Sequence, residues 1–460
     1  LYPLVQVPLA MIRQDEGRLP PFFRNGLMWL GFGAAVAIGS LKGLNHYYPE
    51  VPQIAMGTYL PVVRNAVNLP IMLSFTVVGL SYFISLEIAL GIWFFTLLAI
   101  VEKGVFSLVG IQSTEMVSVY GTPESPFLAH QGIGAMLVFA AAGLWSARRY
   151  LRGVFRKAWS RGRGRGEPID DTREMLSYRS AVSGLIAGLL VMAVWLWQSG
   201  LPAILVPLFL GVALAIFFAL TRIVVEGGIA AARSPMIAST FVVSAVGTPL
   251  VGLQGLAALA YTYIWHGDVR TFVMASCANS LKMVEGERSQ RPLFWALLLS
   301  ILVTMIGSCA TILYLSYTHG GINLHGWFFI SGPQVGFRFI TAKMQSFPPA
   351  DAGGWLFKLI GGGVMAVLMY LRHHFLWWPF HPLGFAVCTV SYIVGRVWFS
   401  VFVAWFFKLV ILKYGGAALH RRMMPFFMGL VLGQISNAGF WVVIDACTGT
   451  TGNHIGALFW

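Results

Sequence analysis

Long apolar runs, broken by short stretches rich in proline, glycine and charge, set the pattern of this chain. A helix that crosses a bilayer takes about 20 mostly apolar residues. Twelve runs fit that template, at residues 26–41, 69–84, 86–101, 131–145, 181–198, 201–221, 236–263, 293–314, 355–371, 382–394, 397–412 and 424–444. The pattern predicts an all-α polytopic membrane protein with about 12 transmembrane helices. Three connections, 42–68, 102–130 and 316–354, are long without being strongly polar. They read as partly buried loops or as helices lying in the membrane interface.

The runs also repeat. Trp93-Phe94-Phe95-Thr96-Leu97 recurs as Trp405-Phe406-Phe407-Lys408-Leu409. Each motif follows a stretch from a proline to Ser-Tyr: Pro70 to Ser81-Tyr82, and Pro382 to Ser391-Tyr392. One span precedes each pair and one follows it, an order that predicts an internal repeat. With 236–263 counted as one span, the repeat unit holds about eight spans, an even number that makes the two copies parallel. The chain then divides into 1–147, the last four helices of a first repeat; 148–180, a basic cytoplasmic linker; and 181–460, a second eight-helix repeat. On this count a 16-helix bundle is expected, with further spans ahead of Leu1.

One region pulls the other way. Arg270, Lys282, Arg288 and Arg291, if cytoplasmic, turn 236–263 into a re-entrant hairpin broken at Gly247-Thr248-Pro249. The single span is preferred because it keeps the copies parallel.

Composition narrows the function. Charged residues are 10% of the chain, against about 25% in soluble domains, which excludes a soluble enzyme. The net charge of +14 resembles a nucleic-acid signal, but much of it sits in one loop: Arg148, Arg149, Arg152, Arg156, Lys157, Arg161, Arg163 and Arg165. That is the mark of a cytoplasmic loop, with anionic lipid headgroups as compatible neighbours. The four cysteines are far apart and fit apolar packing. His373-His374 and His381 lack the further clustered ligands a metal enzyme needs. No phosphate-binding glycine loop with its lysine and no Gly-x-Ser-x-Gly is present. An enzyme, a metal site and a cofactor are therefore not expected.

Ionisable groups in or beside spans are costly, so each is a site candidate. Glu87 lies between two apolar runs, and Glu226 stands four residues after Arg222, on the same helical face. Gly227-Gly228 follows, then the small residues Ala230 to Ala232, Arg233 and Ser234-Pro235, a pattern of discontinuous transporter helices. Glu87 and Glu226 are candidates for proton coupling. Arg222, Arg233, Lys408 and Asp445 are candidates for substrate contact or countercharge.

The repeat, the Trp-Phe-Phe-x-Leu helices and the run Met56-Gly57-Thr58-Tyr59-Leu60-Pro61 resemble the oligopeptide transporter (OPT) superfamily. The stretch from Met424 to Gly433, with Gly429 and Gly433, is similar to its late Gly-x-x-x-Gly region. The Asn-Pro-Gly element of peptide-carrying members is missing, which points to a distant bacterial branch. The resemblance implies a proton-coupled secondary transporter working by alternating access, a symporter of a small solute in a bacterial inner membrane. The expected partners are the lipid bilayer, the solute, and a second copy or another membrane subunit, with no nucleic acid. The alternative is a non-transporting structural or accessory subunit of a larger membrane complex.

Overall fold

The structure, a computed structural model, describes residues 2–12, 20–159, 170–229, 232–267, 272–287 and 289–458. Arg161, Arg163, Arg165, Ala230, Ala231, Arg270 and Arg288 lie outside the described residues. The helices are α1 (Pro3–Ile12), α2 (Gly26–Tyr47), α3 (Phe75–Ser81), α4 (Leu86–Val109), α5 (Pro126–Ser146), α6 (Arg148–Trp159), α7 (Tyr178–Gln198) and α8 (Leu205–Gly227). They continue as α9 (Ala238–Val246), α10 (Thr248–His266), α11 (Val273–Met283), α12 (Arg291–His319), α13 (Gly332–Ser346), α14 (Ala352–His374), α15 (Pro382–Val387) and α16 (Trp398–Thr448). Local chemistry sets many starts. The side chains of Asn25, Ser85 and Ser177 accept from the amides of Leu27, Ile88 and Ser180, capping α2, α4 and α7.

Among the described residues, eight helical segments are long and apolar enough to cross a membrane. The last of them, Ile393–Thr448, bends back on itself at Gly416, whose φ is 63°. The 29-residue α12 buries none of its side chains. A helix apolar on every side and uncovered by protein takes lipid as its solvent. The chain is an integral membrane protein of helical architecture.

Three expected spans differ. Residues 69–84 form no continuous helix: strand β2 (Val67–Met72) pairs antiparallel with β1 (Gly57–Val62), and the seven-residue α3 follows. Pro70, facing Tyr59 in that ladder, cannot donate the amide a helix interior requires. Residues 382–394 form no continuous helix: the six-residue α15 ends at Val387, and Ile393 already belongs to the segment that runs into α16. Residues 236–263 are the hairpin, not the single span: α9 ends at Gly247, with φ 81°, and α10 brings the chain back. His266 Nε2, at the end of α10, accepts from the amide of Ser239 at the start of α9. The linker 148–180 is also partly helical, containing α6 and the start of α7.

The hairpin changes the symmetry. Two sets of four segments match in order: α2, α3, α4, α5, and α14, α15 with the two halves of α16. Each set embraces the other. α2 packs along the second half of α16, and α14 packs along α5. α3 lies against α16, and α15 against α4 and α5. Both long pairings rest on close backbone approach. A Cβ at Gly31 would stand 2.1 Å from the Phe426 carbonyl oxygen, and one at Gly429 2.1 Å from that of Met28. The other pairing repeats this: Gly134 against the Lys358 oxygen at 2.0 Å, and Gly361 against that of Gln131 at 1.9 Å.

The sets run in opposite directions. Glu87 at the start of α4 pairs with Arg372 at the end of α14. Next to α4's start, Tyr82 meets His420, near the start of the second half of α16, along which α2 runs parallel. So α2 begins at the end of the bundle where α14 finishes. The expected parallel copies are inverted ones. The count fails because 236–263 turns back at Gly247 and returns to Ser239, so the segment makes no net crossing and the direction of everything after it is reversed.

Candidate functional site

Two ends of the bundle can now be told apart. The ends of α5 and α8 meet where Gly143 approaches Arg222. α6, with its arginines, follows α5 directly, so this is the basic end. The opposite end holds the starts of α5 and α14, the finish of α4 and the Gly247 turn.

At that opposite end lies a network of buried ionisable groups. His130, in the first turns of α5, is fully buried, and its Nε2 lies 2.7 Å from Glu115 Oε2. Glu115 belongs to the connector between α4 and α5. Lys343 Nζ of α13 stands 3.5 Å from Glu115 Oε1, and Asp351 Oδ2, at the N-cap of α14, stands 3.5 Å from His130 Nε2. Lys358 on α14 is buried and donates to Ser244 Oγ on α9 at 3.3 Å. Three helices and one connector thus place two carboxylates, two lysines and an imidazole together. Formal charges cancel while the imidazole is neutral, and one bound proton leaves the group with a single positive charge.

Burial alone would raise the Glu115 carboxyl, but the His130 hydrogen bond and charge, then Lys343 and the Ser244 hydroxyl, outweigh it and hold it at about 2. Glu115, His130 and Asp351 offer ligand atoms within 4.8 Å of one another, a spacing that could hold a metal ion. The two lysines supply the positive charge in its place, so the donor set fits proton exchange better. His130 Nδ1 makes no hydrogen bond.

Beside the network runs a cavity of about 440 Å³. Tyr59 and Asn68 of the hairpin, Lys103 of α4, Glu124 of the connector, and Thr389 and Ser391 after α15 give it polar walls. A second space of about 240 Å³ shares the Lys103 and Glu124 wall, where the two side chains form an ion pair at 2.5 Å. Gln131, next to His130, donates to Glu102 at 3.2 Å, and Glu102 is the neighbour of Lys103. The size is that of a small-molecule site.

The positions chosen from sequence lie elsewhere. Glu87 is half-exposed and accepts from Arg372 Nη2 at 2.6 Å. Arg222 and Glu226 pair as their spacing indicates, at 3.0 Å, and the guanidinium lies 4.1 Å from the Phe139 ring centre. Both pairs are at the basic end. Arg233 lies over the Tyr392 ring at 4.9 Å. Lys408 donates to the carbonyls of Tyr82 and Ile84, at 3.0 and 2.6 Å, and so finishes α3. Asp445 accepts from Tyr47 and Asn453 and ties down the segment after α16. Glu115, His130, Lys343, Asp351 and Lys358 were not singled out by the sequence. Their one legible signal was charge beside the long apolar-leaning connections 102–130 and 316–354.

The Met56–Pro61 run supplies all of β1 but its last residue, and Gly429 and Gly433 pack against the backbone of Met28 and Phe32.

Inverted sets, re-entrant short helices and a polar cavity define a polytopic helical membrane protein with an enclosed ionisable centre. The chain belongs to the Family of unknown function (DUF6785), whose model matches residues 1–456. No curated protein and no solved structure matches it.

Proposed function

We propose that the protein is a proton-coupled secondary transporter of a small solute, a symporter, in a bacterial inner membrane. One observation carries the reading: the inverted sets are open at one end and closed at the other. The cavity occupies the space between the finish of α4 and the segment after α15. The corresponding space at the basic end, between the first half of α16 and the end of α3, is filled. There Tyr82 is fully buried, its ring stacked on Phe427 at 3.8 Å and bonded through its hydroxyl to His420 Nδ1. Exchange of the two arrangements is alternating access. Positive residues favour the cytoplasm, so the cavity faces outward. The coupling proton is assigned to His130, the histidine buried between the carboxylates of Glu115 and Asp351, in place of Glu87 and Glu226.

The test needs no known solute. Single cysteines at Ser391, in the cavity wall, and at Ser81, at the basic end, are labelled in proteoliposomes with an impermeant maleimide from either side. A transporter gives reciprocal accessibility that shifts with pH. A non-transporting subunit gives fixed accessibility at both positions, and that result removes the reading.

A further inference from the structure

Helix α6 has no role in the cavity, the network or the gate, and its surface is unusual. None of its side chains is buried, although it starts one residue after the spanning helix α5. At 100° per residue its positions separate into three arcs. Tyr150 and Lys157 face α7: the Tyr150 hydroxyl lies 2.9 Å from that of Tyr178, and Lys157 Nζ donates to Asp171 Oδ1 at 2.7 Å. Leu151, Val154, Phe155 and Ala158 form the next arc. Arg148, Arg149, Arg152 and Arg156 form the third.

Arg148 is spent locally, on the Trp145 carbonyl and over the Trp145 ring. Arg149, Arg152 and Arg156 have no side-chain partner among the described residues. Phe155 is 45% and Trp159 76% exposed.

We propose that α6 is an interfacial helix that binds the anionic headgroups of the membrane leaflet on which it lies. The contacts to α7 fix its rotation, so that the Leu151–Phe155 arc enters the acyl boundary and the three free arginines sit at headgroup level. Two features identify the occupant. The helix follows α5 after one residue and packs against α7, and both of those spanning helices carry exposed apolar side chains that require lipid, among them Leu144, Trp145, Leu185 and Leu190. Its unpaired charge is all of one sign, which an anionic lipid surface complements. Residues with this division of apolar and basic arcs lie in the plane of the interface.

The experiment uses the full chain with its four cysteines replaced and Phe155→Cys carrying a polarity-sensitive fluorophore. The protein is reconstituted into vesicles of phosphatidylcholine alone, or of phosphatidylcholine with phosphatidylglycerol. The expected result is blue-shifted emission that is stronger with phosphatidylglycerol, weakens as salt rises, and loses its lipid dependence in R149Q/R152Q/R156Q. Water-like emission in both vesicles overturns insertion. Equal blue shifts in both, or a lipid dependence kept by the triple variant, overturn anionic recognition. An unchanged unfolding temperature for the triple variant in detergent separates loss of binding from loss of fold.

Discussion

The indole rings of Trp93 and Trp405 lie with their centres 5.2 Å apart and their planes at 57°. These are the same residue of the two Trp-Phe-Phe motifs. Equivalent residues of two copies meet each other only near a symmetry axis. With the copies inverted, that axis lies in the plane of the membrane, between α4 and the first half of α16. Phe402 extends the contact, edge-on to Trp93 at 5.3 Å. A double-mutant cycle of Trp93→Ala and Trp405→Ala, read by unfolding in detergent, is expected to give a coupling of about 0.5–1.5 kcal/mol. Additive effects would mean that the two rings do not support each other.

The glycine contacts make the inverted packing testable from a distance. Gly429→Val and Gly134→Val each place side-chain atoms where a carbonyl oxygen already stands. Each should destabilise by about 1–3 kcal/mol, as overpacking does, although the two sites belong to different helix pairs. Gly188 and Gly211 have open space where a Cβ would go. Alanine at either is expected to be neutral or slightly stabilising, since glycine is the poorer helix former. Thermal unfolding of the four variants in one detergent decides this.

Much of this architecture can be read in the chain, and the rest fails for physical reasons. The long runs are visible because a lipid-facing helix must be apolar on every side, and α12 is. The Arg222–Glu226 pair follows from helical spacing alone. The hairpin at 236–263 is legible as an alternative, through Gly247-Thr248-Pro249 and the basic residues after it, but the sequence does not decide for it, because only the positive φ of Gly247 shows that the chain turns there. The ionisable network is hidden for another reason. Glu115 and His130 come from the first copy, whereas Lys343, Asp351 and Lys358 come from around the second. Taken singly, a charge at a span end is an ordinary cap; only the fold brings five of them together.

Glu115 gives stability a distinct pH dependence. Its carboxyl is held at about 2, below its usual value, so the folded state favours the ionised form. That stabilisation is complete above the ordinary carboxylate range near 4.5 and is lost as pH falls from there toward about 2. Glu115→Gln should be less stable than the parent at neutral pH, and the difference should shrink through this acidic window. Unfolding midpoints measured across it provide the check. A difference that stays constant with pH would detach Glu115 from the network.

His130 should govern a different property. With the coupling proton on its imidazole, the accessibility of a cysteine at Ser391 changes with pH, because the network gains one positive charge on protonation. His130→Gln preserves size and hydrogen bonding at one atom but cannot bind that proton. The expected outcome is a labelling rate whose pH dependence is flat, in a protein that remains folded. Glu87→Gln and Glu226→Gln, which touch only the basic end, should keep the parent's profile. A pH response that survives in His130→Gln and vanishes in either glutamate variant would return the coupling role to the basic end.

Lys408 offers the sharpest test of the closed gate. Its ammonium satisfies the Tyr82 and Ile84 carbonyls at the end of α3, where the helix dipole also favours a cation. Lys408→Met keeps the apolar stem and removes the donor, leaving two carbonyls without it in a poorly hydrated place. An unsatisfied buried polar group costs about 1–3 kcal/mol, and the loss falls on the closed arrangement, because the contact exists only while α3 lies against α16. Opening at the basic end should therefore become more frequent by roughly tenfold or more. The readout is maleimide labelling of a cysteine at Ser81 from the basic side, expected to accelerate, while labelling at Ser391 from the cavity side slows. Acceleration at both positions would indicate general loosening, and no change at Ser81 would show that Lys408 merely fills space.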